Sequence, residues 1–500
     1  MTPLKCLLIS KEAHVKEICF SSLRFSFPFQ FSSGFSLQVL FLLSILFLNS
    51  FYSFAQQSRD NGLPEKYTLL ISSFTMSGLD TVSRQIHGIN PFKDLNITDS
   101  PFRDNLSYMN YIYDLQNVRG DFLNEANKFD YSSLYYQMLA TRYSLIGSYD
   151  EIFKYLDSSG IAGSNSKQLE QNTINHIFKN GGPNLISYNN FISSVSDKER
   201  AVFINESHQM AKHRILTTLM LKPLYDKGFR YLFLEALNTA DSALNERGVP
   251  LMTTGGYINE PVFADLVREA LKIGYKVLPM DYGSSDIENP TINSRDSMMA
   301  VNIAKIYKAD PDAKILVHAG WAHIQENSAA SWNTMGNFYK KMTDIDPLTI
   351  DQTSVLEVNT IFDKQKNIYT DNVKEISLYS TEYPKNIYDM TVLFPSTKNI
   401  SHRPDWMAMN GYRNALPLSG PIYGKLQDSC LVQAFYKEEY LEFGRTAIPV
   451  DQVFIQNPAD DYSLFLPQGE YIFRIVNNKK EVVETWDIVN GKKNERKNLR

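Results

Sequence analysis

Beyond a break at Gly181-Gly182-Pro183, short apolar runs and runs of helical period alternate along this chain. Ala201 to Ile204 reads as a strand and leads to a helix around His213 to Tyr225. Tyr231 to Leu234 reads as a second strand, and a helix from about Glu260 to Ile273 leads to a third, Lys276 to Met280. A helix from Arg295 to Tyr307 then precedes a fourth strand, Ile315 to Val317. Each apolar run is continuous rather than alternating, as expected of strands covered by helices on both faces. Strand and helix in turn predict a parallel sheet with helical crossovers.

The flanks differ. Tyr67 to Ile71 reads as a strand, set in a stretch rich in Asn, Asp, Ser and Gly whose fold is not legible. From Phe122 to Leu156 the period turns helical. Leu139, Ala140, Tyr143, Gly147, Tyr149, Ile152 and Tyr155 resemble one degenerate tetratricopeptide-type helix pair. A single copy cannot stack as a repeat array must, so two helices packing on the next domain is the simpler reading. Past Asp344 the alternation weakens, although Leu348 to Ile350 and Tyr388 to Phe394 look like further strands. From Gly420 onward short β-type runs dominate: Cys430 to Tyr436, Tyr462 to Leu466, Tyr471 to Val476 and Val482 to Ile488. They predict a small antiparallel β-domain, with a hairpin turn at Pro467-Gln468-Gly469.

The expected fold class is therefore α/β: a parallel-sheet core with helices on both faces, preceded by a small helical segment and followed by a small antiparallel β-domain. The expected divisions are a signal peptide over 1–55, a segment of unclear fold over 56–120 and a helical segment over 121–185. An α/β domain over 186–419 and a β-domain over 420–500 complete the chain. The signal reading rests on the apolar run Leu37 to Leu48, with Ser53-Phe54-Ala55 in the position of a cleavage site. That run is too short to span a bilayer and fits a signal core. Export to the periplasm or the cell exterior is the expected destination, with no integral membrane span after cleavage.

Composition narrows the function classes. Five hundred residues exceed one compact core, and 43% hydrophobic with 21% charged residues is ordinary for a globular protein. A net charge of -5, with no sustained basic face, argues against nucleic acid. Signal cleavage would remove Cys6 and Cys19 and leave Cys430 alone, so neither an internal disulfide nor a Cys-rich metal site can form. Any metal would have to use His, Asp and Glu.

The chemistry gathers where strands end. In an open parallel sheet, ligands bind in the crevice beyond the carboxyl ends of the strands. Four successive strands deliver ionisable residues there: Glu206 with His208, then Glu235, then Asp281, then His318 with His323. Glu206 and His208, two residues apart at a strand exit, can point the same way. Gly320 permits a tight turn between the two histidines. His213 lies on the first helix, as a further imidazole, and Arg295 at the head of a later one, as an anion-holding group.

These residues resemble the superfamily that joins erythromycin esterases, ChaN-like haem-binding lipoproteins and Tiki/TraB-type proteases, over about Arg200 to Asn327. Asn205-Glu206-Ser207-His208 stands for the opening Gly-Glu-x-His, with Asn205 in place of Gly altering backbone freedom. His213 with Arg214 matches the second His of ChaN-like members, and Glu235 matches a strand-end glutamate. Arg295-Asp296-Ser297-Met298-Met299-Ala300 matches an esterase helix start, and Gly320-Trp321-Ala322-His323 the closing Gly-x-x-His.

The resemblance implies an exported hydrolase that activates water on an ester or amide-type bond of a small molecule or peptide. In a metal-free form, His208 or His323 acts as general base, Glu206 and Glu235 orient it, and Arg295 stabilises the developing oxyanion. In a metal form, Glu206, His208, Glu235 and His323 hold Zn, Mn or Fe. His213, Asp281 and His318 are expected to contact substrate. The alternatives are a haem- or metal-binding protein without catalysis, with His208 and His213 as ligands, or an interaction scaffold.

Overall fold

A computed structural model describes residues 140–149, 151–152, 185–281, 291–327, 332–356, 375–380, 387–418, 430–457, 459–477 and 482–489, with short pieces besides. The expected signal core, the strand at Tyr67 to Ile71, the 56–120 segment and most of the 121–185 segment lie outside the described residues. The chain divides into two units: residues 1–71 with 284–292, and the remainder. In the first, Ile18–Phe20 pairs antiparallel with Leu23–Phe25.

The second unit is built on an eight-stranded sheet. Its strands are β1 (Ile186–Ser187), β2 (Ala201–Glu206), β3 (Tyr231–Leu234), β4 (Lys276–Pro279), β5 (Ile315–Gly320), β6 (Leu348–Asp351), β7 (Ser377–Ser380) and β8 (Met390–Leu393). Their order is β1-β7-β8-β6-β2-β5-β3-β4. The six from β8 to β4 are mutually parallel, and β7 runs antiparallel between β8 and β1. The expected α/β core is present. Its longer helices are α1 (Tyr188–Ser194), α2 (Lys212–Asp226), α3 (Pro261–Ile273), α4 (Ile292–Ala304) and α5 (Met335–Thr343).

Both faces of the sheet are covered, which explains the unbroken apolar runs. Val202, Ile204, Leu232, Leu234 and Leu316 pack with Leu216, Met220, Val262 and Leu266 of α2 and α3. The alternate residues Phe203, Phe233, Ile315 and Val317 pack with Met299, Ile303 and Tyr339 of α4 and α5. Helix α3 has all its end signals. Glu260 accepts from the N–H groups of Val262 and Phe263, Pro261 opens the helix, and Gly274 closes it at φ 109°.

The β architecture comprises β9 (Asn414–Leu418), β10 (Cys430–Tyr436), β11 (Asp451–Ile455), β12 (Tyr462–Leu466), β13 (Glu470–Asn477), β14 (Val482–Val489) and β15 (Lys492–Lys493). Helix α6 (Lys437–Phe443) follows β10. Five strands form an antiparallel sheet in the order β11-β10-β13-β14-β15, and β9 pairs with β12 separately. The expected hairpin at Pro467-Gln468-Gly469 is not one: β12 pairs with β9 while β13 pairs with β10 and β14. The turn carries the chain from one sheet to another, and its residues suit either task.

This β part shares an interior with the α/β core. Leu431, Ile448 and Phe465 belong to the same apolar cluster as α2 and α3. Buried ion pairs cross the contact, Arg268 of α3 to Glu439 of α6 at 2.7 Å and Arg413 to Asp265 of α3. Cys430 is buried with a free thiol, which burial pushes up to about 12. Among the described residues no helix is long and apolar enough to cross a membrane.

Candidate functional site

Three neighbouring strands, β2, β5 and β3, set the site. Parallel pairing places Glu206 of β2 beside Gly320 of β5, and Leu234 of β3 beside His318. Glu235, the next residue after β3, donates its N–H to the carbonyl of His318. Residues far apart in sequence therefore meet at one end of the sheet.

Glu206 is the buried anchor. One carboxylate oxygen accepts from Nε of Arg214 at 2.8 Å and faces Nε2 of His318 at 3.0 Å. The other lies 2.8 Å from Nδ1 of His208 and accepts from Arg214 at 3.2 Å. Burial alone would raise the Glu206 pKa, but Arg214 and His318 outweigh it and hold the carboxyl well below its usual range. Arg214 is itself fully buried and also donates to Glu260 at 3.0 Å and to the backbone carbonyl of His208 at 2.7 Å. Glu260 in turn accepts from the hydroxyl of Tyr149 at 2.7 Å, tying the helical segment to this network.

His323 repeats the arrangement on the other side. Its Nδ1 lies 2.9 Å from Oδ1 of Asp296, a buried carboxylate that also accepts from the N–H of Met335. Nε2 faces Arg295 Nη1 at 3.1 Å and Glu235 Oε1 at 3.6 Å. In the neutral tautomer Nδ1–H donates to Asp296 and Nε2 accepts from Arg295. In the protonated form Nε2–H turns to Glu235. Burial disfavours the charged form, but Asp296 and Glu235 outweigh it, and the His323 pKa is raised.

Glu235 closes the gap between the two imidazoles. Oε2 accepts from the N–H of Gly320 and Oε1 from Arg295, each at 2.6 Å. Arg295 also donates to Asp281 at 2.7 Å. Burial would raise the Glu235 carboxyl, but His323, Arg295 and His208 lower it. A Cβ placed on Gly320 would lie 2.4 Å from Cε1 and 2.5 Å from Nε2 of His208, and 3.1 Å from Glu235. The Nε2 edge of His208 thus packs on the glycine, beside Glu235. Two imidazoles are carboxylate-held, Glu206–His208 and Asp296–His323; Nε2 of His323 faces Glu235, and Nε2 of His208 lies against Gly320. The side chains of His208, Glu235, Arg295, His323 and Asp281 keep 9–25% of their surface exposed, whereas Glu206, Arg214 and His318 keep 2% or less.

All five expected catalytic residues, with Asp281, are brought together. His318 is placed otherwise than expected of a substrate contact: it is sealed between Glu206 and Thr217, whose hydroxyl lies 2.9 Å from Nδ1. His213 also faces inward. Its Nδ1 accepts the N–H of Ser207, its ring stacks on Phe394, and burial depresses its pKa to about 3. It shares no open face with His208, so the pair does not form a haem-facing surface. The expected metal set fits poorly, because guanidinium and N–H donors already engage both oxygens of Glu206 and of Glu235. Among the described residues no three His, Cys, Asp or Glu side chains converge as a metal-holding group.

Arg214, Glu260, Asp296 and Tyr257 are neighbours of the site that the pattern of strand ends does not single out. Asn205 does not act through backbone freedom, since it sits in regular strand. Its side chain donates to the carbonyl of Trp321 at 2.9 Å and to Asp351 at 2.8 Å. Trp321, at φ 45°, is a bulky residue in the left-handed region directly after Gly320, a strained exit that Asn205 holds.

The buried His213 has a consequence for stability. Its folded pKa lies below the unfolded value of 6.5, so the unfolded state binds more protons between about 6.5 and about 3. Its contribution is present above about 6.5 and is lost as pH falls toward about 3. Urea midpoints should therefore decline across that window. His213→Gln, which keeps an acceptor for Ser207, should flatten the decline; an unchanged slope would contradict the assignment.

Comparison with known proteins adds no family. No family model matches the chain, and no curated protein matches it. Among solved structures, the chain is similar to the type III effector HopBA1 at 11% identity and a TM-score of 0.29, over 43% of this chain and 99% of that one. It is also similar to a structure described as bacterial protein toxins, at 12% identity and 0.26, over 61% and 65% of the two chains. RRSP, a MARTX toxin effector domain from Vibrio vulnificus, matches at 13% and 0.27, over 64% and 66%. Likenesses this distant carry no argument about chemistry, which rests on the geometry of the site.

Proposed function

We propose that this chain is a hydrolase that activates water on an ester or amide-type bond of a small molecule or peptide, with His208 as general base. The observation that carries the reading is the pair of carboxylate-held imidazoles, Glu206–His208 and Asp296–His323, set on either side of Gly320 and Glu235. Glu206, kept ionised by Arg214 and His318, accepts a hydrogen bond from Nδ1–H of His208 and leaves the Nε2 lone pair for water. Glu206 is too acidic and too enclosed to be the base itself.

Water attacks the carbonyl carbon as its proton passes to His208 Nε2, forming a tetrahedral oxyanion. Arg295 and the protonated form of His323 supply positive charge at the mouth of the site, where one such donor is worth about 3 kcal/mol. The proton held on His208 then passes to the leaving oxygen or nitrogen as its bond to carbon breaks. Glu235, accepting from Gly320 and Arg295, fixes the mouth that this chemistry uses. The resemblance to erythromycin esterases and the apolar N-terminal segment support the same reading, including export.

An ester and peptide panel tests it. His208→Ala and His323→Ala should each lower turnover by about 100-fold or more while the protein still melts cooperatively. Wild-type turnover in His208→Ala would remove the assigned base.

A further inference from the structure

The segment just before α3 grips His208 from two sides. Tyr257 stacks on the imidazole at 4.3 Å between centroids and 9° between planes. Three residues on, Glu260 holds Arg214, which binds both Glu206 and the His208 backbone carbonyl. Gly255 fixes where this segment sits, because a Cβ there would lie 2.0 Å from the carbonyl oxygen of Ala236, one residue past Glu235. The loop carrying Tyr257 is thus seated against the backbone that carries Glu235.

The imidazole has two torsions to be fixed. The hydrogen bond from Nδ1 to Glu206 restrains one edge but leaves the ring free to rock about that contact. Gly320 limits the Nε2 edge without attracting it. A parallel ring against the face removes the rocking and holds the plane in which Nδ1 meets Glu206 and Nε2 lies against Gly320. Aromatic pairs of this kind contribute beyond simple area burial. Tyr257 is itself 37% exposed, so it contributes little to the core.

We propose that Tyr257 is a positioning residue for His208, its ring holding the plane in which Nδ1 stays on Glu206 and so preserving the tautomer that Glu206 selects. The kinetic part rests on the reading of His208 as general base; the tautomer part does not. The tautomer is read from long-range proton–nitrogen spectra of protein labelled with 15N-histidine, with His208→Ala identifying the resonance. Wild type should show a single Nδ1–H tautomer at His208. Tyr257→Ala should average the two ring nitrogens while melting as wild type does, and Tyr257→Phe should restore the single form. On a substrate found in the panel, Tyr257→Ala should lower kcat about tenfold or more with KM little changed, as expected when a reacting group is misaligned. An unaltered Nδ1–H tautomer in Tyr257→Ala would overturn the proposal. Absence of any turnover in wild type would refute the hydrolase reading alone, because the tautomer result stands without it.

Discussion

Gly320→Ala should abolish turnover, reducing kcat/KM by about 100-fold or more. The glycine invites explanation by a tight turn, yet its φ of -77° is open to any residue. What the position demands is space. A methyl group there would stand 2.4 Å from Cε1 and 2.5 Å from Nε2 of His208, inside any real contact distance. His208 cannot simply swing aside, being held by Glu206 at Nδ1 and covered by Tyr257 on its face. Glu235 stands 3.1 Å from the same methyl, so both partners of the mouth are displaced together. The overpacking should also cost about 1–3 kcal/mol of stability, visible as a lower urea midpoint. Near wild-type kcat/KM in the alanine variant would show that the edge of His208 is not where the chemistry occurs.

Arg214→Met should be the most damaging single change to stability, at about 3–5 kcal/mol. The guanidinium is fully buried and contacts two carboxylates, Glu206 and Glu260, together with the backbone of His208. Removing it leaves two buried anions facing each other with their principal cation gone. Lysine cannot substitute, since a point charge does not reproduce the fork that spans both glutamates. Equilibrium urea unfolding measures the loss, and a double variant with Glu206→Gln should lose less than the sum of the two single losses. Additive losses would mean that Arg214 and Glu206 do not act as a pair.

Much of this site was readable because parallel sheets deliver their strand ends to one place. Glu206, Glu235, Asp281 and the segment from His318 to His323 each follow an apolar run, and the fold does the gathering. The partners were less legible. His213 and Arg214 are adjacent on α2, but successive helical residues point about 100° apart, so one stacks on Phe394 and the other reaches Glu206. Motif spacing drew attention to His213, whereas an arginine followed by Ile215 and Leu216 is the better signal of a buried ion pair. Asp296 reads as an ordinary helix-start acid until its contact with His323 is known. His318 and Gly320 lie on the same strand face, yet only packing shows that the histidine is sealed and the glycine sits at the mouth. Likewise Pro467-Gln468-Gly469 announces a turn without saying which strands it joins.

The interior shared between the α/β sheet and the β part has a consequence for how this protein can vary. Leu431, Ile448 and Phe465 complete the packing of α2 and α3, and the charges of Arg268 and Asp265 are answered from beyond residue 400. Glu260, the N-cap of α3, accepts from Arg214, so the same helix links that seam to the candidate site. A module joined by a linker can be exchanged by recombination without disturbing its neighbour. Here an exchange would strand buried charge on the helix beside the Glu206–Arg214 network, so the two architectures are expected to be inherited as one.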